Sequence, residues 1–267
     1  MTHRTNISMT LLLLLVGSTA GCALWHKRAL PERNEIVLDQ LVIHSETPLP
    51  KNHRLLAELA AQRMTQVDKL GLPVSDEAIN IYLFPSEDRF NEFMRANFPG
   101  LPDRRAFFIE SDTKLAVYAY WGDRVAEDLR HEVAHGYLHA VVPHLPLWLD
   151  EGLAEYFEVA RGHRGLNAPH VQELKQALAS GWHPDLRRLE RIDNAADLTA
   201  MDYAESWAWV HFLLETTPER KQFLQGYLAM LLKHDSAESL SHQLRRLHLD
   251  YERQLVDYLG YLGQRLE

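Results

Sequence analysis

Apolar residues at Ile36, Leu38, Leu41 and Ile43 alternate with polar ones over 35–44, and that period of two predicts a strand. A second strand is expected over 78–84. A hairpin is expected with arms 105–110 and 115–120 around Ser111-Asp112-Thr113. Between the first two strands, a helix capped by Asn52 runs to about Leu70 and is closed by Gly71 and Pro73; Ser86 and Glu87 start another that reaches Phe98. The hairpin leads directly into a longer helix beginning near Gly122. Asp123, Glu127 and Asp128 suit the positive end of its dipole, and Val125, Leu129, Val133, Leu138 and Val142 give it core contacts. Pro143 and Pro146 end it, and a further helix starts near Leu147. Beyond that point the pattern is helical. Asn167 with Pro169, Thr217 with Pro218, and Ser236 open successive segments, the last leading into an amphipathic stretch to Glu267. Trp207, Trp209, Val210, Phe212 and Leu213 form an apolar wall expected to pack behind the preceding helices. The fold class is therefore α+β: a small mixed or antiparallel sheet, then an all-helical carboxy-terminal part.

The amino terminus changes the picture of where the chain resides. Arg4 precedes an apolar run over 11–16, and small residues 17–21 lead to Cys22, a pattern too short to span a membrane and expected of a signal peptide. Thr19-Ala20-Gly21-Cys22 resembles the bacterial lipobox, with Thr19 in place of the usual leucine. That resemblance implies lipidation at Cys22 and a membrane anchor. Cys22 is the single cysteine, so no intramolecular disulfide can form in the oxidising compartment that export implies. Ala23 follows it where an aspartate would signal inner-membrane retention, which points to the outer membrane, facing the periplasm. The expected organisation is a signal segment over 1–21, a tether over 22–34, an α+β catalytic domain over 35–165 and a helical subdomain over 166–267. A net charge of -9, with lysine and arginine dispersed among acids, gives no basic field for a nucleic-acid backbone.

Candidate chemistry centres on His131-Glu132-Val133-Ala134-His135. On a helix, residues four apart sit one turn above each other, so His131 and His135 form one metal-facing edge. Glu132 lies about 100° round the cylinder, where its carboxylate reaches a water beside the metal without binding the metal itself. Glu151, with fifteen residues between it and His135, completes a two-histidine, one-glutamate zinc set on the next helix. Glu155, four residues on, places another carboxylate on the same edge. His139 would lie about 12 Å along the axis from His131 and is expected to support the site or the core.

These segments resemble the gluzincin metallopeptidases, in which an H-E-x-x-H helix is joined by a glutamate on a following helix. The run from Trp148 to Tyr156, Trp-Leu-Asp-Glu-Gly-Leu-Ala-Glu-Tyr, is similar to the glutamate segment of their peptidase MA-like branches, and the match covers roughly 105–215. The resemblance implies a thermolysin-like zincin core and zinc-dependent peptide-bond hydrolysis. His131, His135 and Glu151 would be the ligands, Glu132 the general base, and Glu155 the carboxylate that orients His131. It also implies a tyrosine that stabilises the transition state. Tyr203, opening Tyr203-Ala204-Glu205-Ser206, is the candidate, with His211 as its rival. The strand 114–120 would be the sheet edge on which an extended substrate pairs, unless it is an ordinary internal strand. No G-x-M-E-N type segment is present to hold a peptide amino terminus, so an endopeptidase acting on a cell-envelope peptide or protein fits better than an aminopeptidase. The alternative is a catalytically inactive zincin-fold lipoprotein serving as a binding or assembly module.

Overall fold

The first apolar stretch is two strands rather than one. β1 (Asn34–Leu38) and β2 (Leu41–Ser45) form an antiparallel hairpin that pairs Leu38 with Leu41. Asp39 takes the turn at a left-handed φ of 50°, which a short polar side chain tolerates. The slip in the apolar beat from Leu38 to Leu41 is the trace of that turn. The structure is a computed structural model and describes residues 29–233 and 238–266; the expected signal segment, Cys22 and the helix start at Ser236 lie outside the described residues.

Helix α1 (Arg54–Leu70) crosses to β3 (Ile79–Phe84), helix α2 (Glu87–Asn97) follows, and β4 (Ala106–Ser111) and β5 (Lys114–Tyr120) form the expected hairpin. The sheet order is β1-β2-β3-β5-β4, parallel at β2/β3 and β3/β5 and antiparallel at both ends. The strand 114–120 is therefore internal, and the sheet's edges are β1 and β4. Burial explains the arrangement: Leu115, Val117 and Ala119 are covered on one face of β5 and Ala116 and Tyr118 on the other, as an internal strand requires. β4 becomes exposed toward Ser111.

Ile79, Ile81 and Leu83 pack with the apolar faces of α1 and of α3 (Val125–His139), while Tyr82 and Phe84 pack with Phe90, Phe93 and Met94 of α2 on the opposite face. Ser86 caps α2 as expected, but α1 begins after His53, not Asn52, and has no side-chain cap. Three long-range hydrogen bonds fasten α1 to α3. Gln62 Nε2 donates to Arg130 O (2.8 Å), Gln66 Nε2 to Ala134 O (3.5 Å) and Tyr137 OH to Leu59 O (3.1 Å).

The remainder is helical: α4 (Leu147–Glu158), α5 (Ala168–Ala179), α6 (Leu186–Leu189), a 3-10 turn (Ala195–Asp197), α7 (Ala200–Glu215), α8 (Pro218–Leu231), α9 (Leu240–Leu247) and α10 (Tyr251–Arg265). Asn167 and Thr217 cap α5 and α8, and a reciprocal Thr199–Asp202 capping box opens α7. The terminal amphipathic stretch is formed by α9 and α10. A single apolar core joins residues on both sides of 165, from Leu138 and Leu149 to Trp207, Trp209 and Leu259. Among the described residues, no helix is long and apolar enough to cross a membrane.

Two glycines set how closely the central helices approach their supports. A Cβ on Gly136 would lie 2.9 Å from Ile79 of the sheet, and one on Gly152 would lie 2.5 Å from the Ser206 carbonyl oxygen of α7. Backbone cannot yield as a side-chain tip can, so α4 requires glycine at 152.

His211 is buried in the helical core with Tyr258 OH at 2.9 Å from Nδ1, and burial pushes its pKa down to about 4. The folded chain then holds fewer protons than the unfolded one between pH 4 and 6.5. The contribution is full above about pH 6.5 and is lost as pH falls toward 4, by up to on the order of 3 kcal/mol. Urea unfolding at pH 7 and pH 4.5 should show a smaller acid-induced loss for His211→Gln than for the parent chain. Equal losses would refute the assignment.

Candidate metal centre and its cleft

His131 and His135 occupy successive turns of α3 and face Glu151 on α4. His131 Nε2 lies 3.2 Å from His135 Nε2, and Glu151 Oε2 is 3.5 Å from the first and 3.6 Å from the second. These atoms converge as metal ligands do, since tetrahedral zinc with ligands at about 2.0–2.1 Å separates its donor atoms by about 3.3–3.4 Å. Glu151 Oε2 is buried and has no hydrogen-bond partner. A buried, orphaned carboxylate oxygen is costly unless a cation meets it. The residues therefore fit a metal.

Two other groupings nearby could also hold an ion by proximity, His135 with His139 and Asp150, and His131 with Glu155 and Glu158. Their atoms are already used by hydrogen bonds. His135 Nδ1 meets Asp150 Oδ1 at 2.8 Å, and the other oxygen of Asp150 meets His139 Nε2 at 3.0 Å. His139 Nδ1 in turn lies 2.7 Å from Glu110 Oε2 on the edge strand. His139 thus holds the carboxylate that holds His135.

The carboxylate that orients His131 is Glu158, with Oε2 at 3.1 Å from Nδ1, and not Glu155. Glu155 is drawn instead to His170 Nε2 of α5 at 2.8 Å. The partner comes from a third helix, so the pairing of α3 with α4 alone does not reveal it. Glu158 lies seven residues after Glu151, two turns along the same face, and that periodicity is the signal by which it could have been found. Asn167 Nδ2 donates to its second oxygen at 3.1 Å.

The electrostatics express one demand for positive charge. Burial opposes the charged form of His135, but Asp150 and Glu151 outweigh it and raise the pKa to about 10. His131 is raised in the same way by Glu151 and Glu158 against its burial. Glu151 shows the reverse balance: the two imidazoles bring it down to about 2 despite desolvation. A bound divalent cation would replace the protons on these imidazoles.

Glu132 lines a cleft of about 1180 Å³ together with His131, Tyr203 and Arg104. Burial raises its carboxyl pKa, while the neighbouring histidines and a hydrogen bond from the Phe108 backbone lower it. Tyr203 stands in the first turns of α7, and its hydroxyl accepts from Arg104 Nη2 at 2.8 Å. His211 does not line the cleft. Arg104, Asp150 and Glu158 are the site residues that sequence reasoning missed.

A family model described as "Protein of unknown function (DUF1570)" matches residues 125–231. That span starts with α3, ends with α8, and contains His131, His135, Glu151, Glu132 and Tyr203. No curated protein matches the chain.

Replacing Glu158 with alanine should weaken divalent-metal binding by about 10- to 100-fold, whereas Glu155→Ala should cost much less. Chelator competition measures both, and equal losses would count against Glu158 as the orienting group.

Proposed function

We propose that this protein is a zinc-dependent peptidase of the gluzincin type, built on a thermolysin-like core and cleaving bonds within peptides or proteins of the bacterial cell envelope. The observation that carries the reading is the spacing of His131 Nε2, His135 Nε2 and Glu151 Oε2 about an oxygen with no other partner. His131, His135 and Glu151 would hold the ion, the two histidines oriented by Glu158 and Asp150. When bound, zinc supplies a Lewis acid that polarises a carbonyl and makes water acidic enough to ionise near neutrality.

Glu132 is the base. Its raised pKa brings it closer to the operating pH, where a carboxylate can both take a proton from the attacking water and return it to the leaving amine. Tyr203 supplies the oxyanion donor. Because Arg104 can only donate, its bond to the Tyr203 oxygen leaves the phenolic proton free to point into the cleft. The amino-terminal pattern adds the setting: export, lipidation at Cys22 and attachment to the outer membrane.

Zinc analysis of the full chain should give one ion per molecule, and Glu151→Ala should lose it; no zinc in either would sink the proposal. Uptake at pH 7 should release protons, because imidazoles whose pKa values are raised by the surrounding carboxylates must be neutral to bind the ion. A weakly buffered titration with a pH indicator reads that release.

Glu132→Gln should keep zinc and lose peptide cleavage by several orders of magnitude when product formation from a mixed peptide library is followed by mass spectrometry. Retained turnover would remove Glu132 from its role. Bound zinc with no cleavage by the parent protein would favour the binding-module alternative.

A further inference from the structure

A smaller hollow of about 260 Å³ opens beside the cleft. Its floor is the buried apolar set Phe90, Met94 and Phe107, flanked by Phe98 and the exposed Leu101, and its polar lining is the rim of Asn91, Arg95, Asp103 and Arg104. All four rim residues also line the larger cleft, so the two spaces adjoin. At this size it falls below the roughly 300–1,000 Å³ typical of whole small-molecule sites and suits a single side chain.

Charge pairing in the cleft is uneven. Arg105 is engaged by Asp128 at 2.7 and 3.0 Å, Arg124 pairs with Glu127, and Arg130 pairs with Glu58 at 3.6 Å. Among the described residues Arg104 forms no ion pair, the Glu151 and Glu132 carboxylates acting on its charge only at longer range. Its hydrogen bond goes to the neutral Tyr203 hydroxyl, a single contact for a group with five N–H donors. Arg95 has no ion-pair or hydrogen-bond partner among the described residues. Asp103 sets one negative charge on the rim against these two guanidinium groups.

We infer that the hollow and its rim form a specificity subsite for a peptide carboxylate next to a large apolar side chain, with Arg104 binding the carboxylate and the aromatic floor taking the side chain. The inference rests on the peptidase reading and names the substrate class of that site. A planar guanidinium with a free fork is the group best matched to a carboxylate, and its contact with Tyr203 places it beside the reacting bond. The carboxylate can come from an acidic side chain or from a peptide's own carboxy terminus.

The test uses zinc-loaded full-length protein carrying Glu132→Gln and dye-labelled peptides read by fluorescence anisotropy. The peptides are Ala-Ala-Ala-Phe as free acid, the same sequence as amide, and Ala-Ala-Glu-Phe as amide. One of the two carboxylate-bearing peptides should bind at least about 10-fold tighter than the neutral amide, and which one does identifies the source. Arg104→Gln should abolish the preference while leaving zinc content unchanged, and Arg104→Lys should restore part of it. Replacing the peptide's phenylalanine by alanine should weaken binding further. Equal binding of all three peptides, no measurable binding of any, or a preference that survives Arg104→Gln would overturn the subsite. Failure to bind zinc would instead remove the peptidase reading itself.

Discussion

Burying His131 and His135 among Glu132, Asp150, Glu151, Glu155 and Glu158 is tolerable only if each carboxylate meets a proton donor or a cation, because an unpaired ion away from water costs several kcal/mol. The crossing of α3 and α4 meets that condition almost everywhere. Asp150 is held between His135 and His139, Glu158 between His131 and Asn167, and Glu155 by His170. One oxygen, Oε2 of Glu151, is left with two imidazole nitrogens turned toward it. The network therefore orients both rings and fixes the one point where positive charge is still required. Each ring presents Nε2 inward because Nδ1 is engaged behind it.

Such convergence needs two helices that cannot drift. α3 is held against the sheet at Gly136 and against α1 by Gln62, Gln66 and Tyr137, while α4 is held against α7 at Gly152. In both helices the glycine directly follows a residue of the candidate metal site, His135 or Glu151. Closest packing thus falls at the level of the site, where a shift of a few tenths of an ångström would matter most. The tryptophans of α7 fill the space behind α4 and make the helical part a continuation of the same core. Tyr203 reaches the cleft from the start of that helix.

Much of this was legible because it is periodic. His131, Glu132 and His135 lie within a little over one turn, and the apolar contacts of Val125, Leu129, Val133 and Leu138 fix which face they oppose. The capping residues Ser86, Asn167 and Thr217 act locally, so their helices start where sequence places them. The failures have a different origin. For strand 114–120 two readings were open, a sheet edge by resemblance or an ordinary internal strand, and pairing with β3 as well as β4 decides for the second. Glu155 has the right helical spacing to reach His131, yet His170 from α5 takes it. His53 begins α1 in place of Asn52 without any side-chain bond.

The sequence by itself determined most of the longer helices and the β4/β5 hairpin, the order of α3 and α4, and the identity of the residues able to face one another across them, because those follow from spacing along a single helix or strand. Tertiary structure decided which carboxylate serves which histidine, which strand forms the edge, and that Arg104, distant in sequence from Tyr203, stands at its hydroxyl. Those outcomes are competitions among groups brought together only by packing. A hydrogen-bond donor on a third helix or a strand inserted beside its neighbour leaves no periodic mark in the chain.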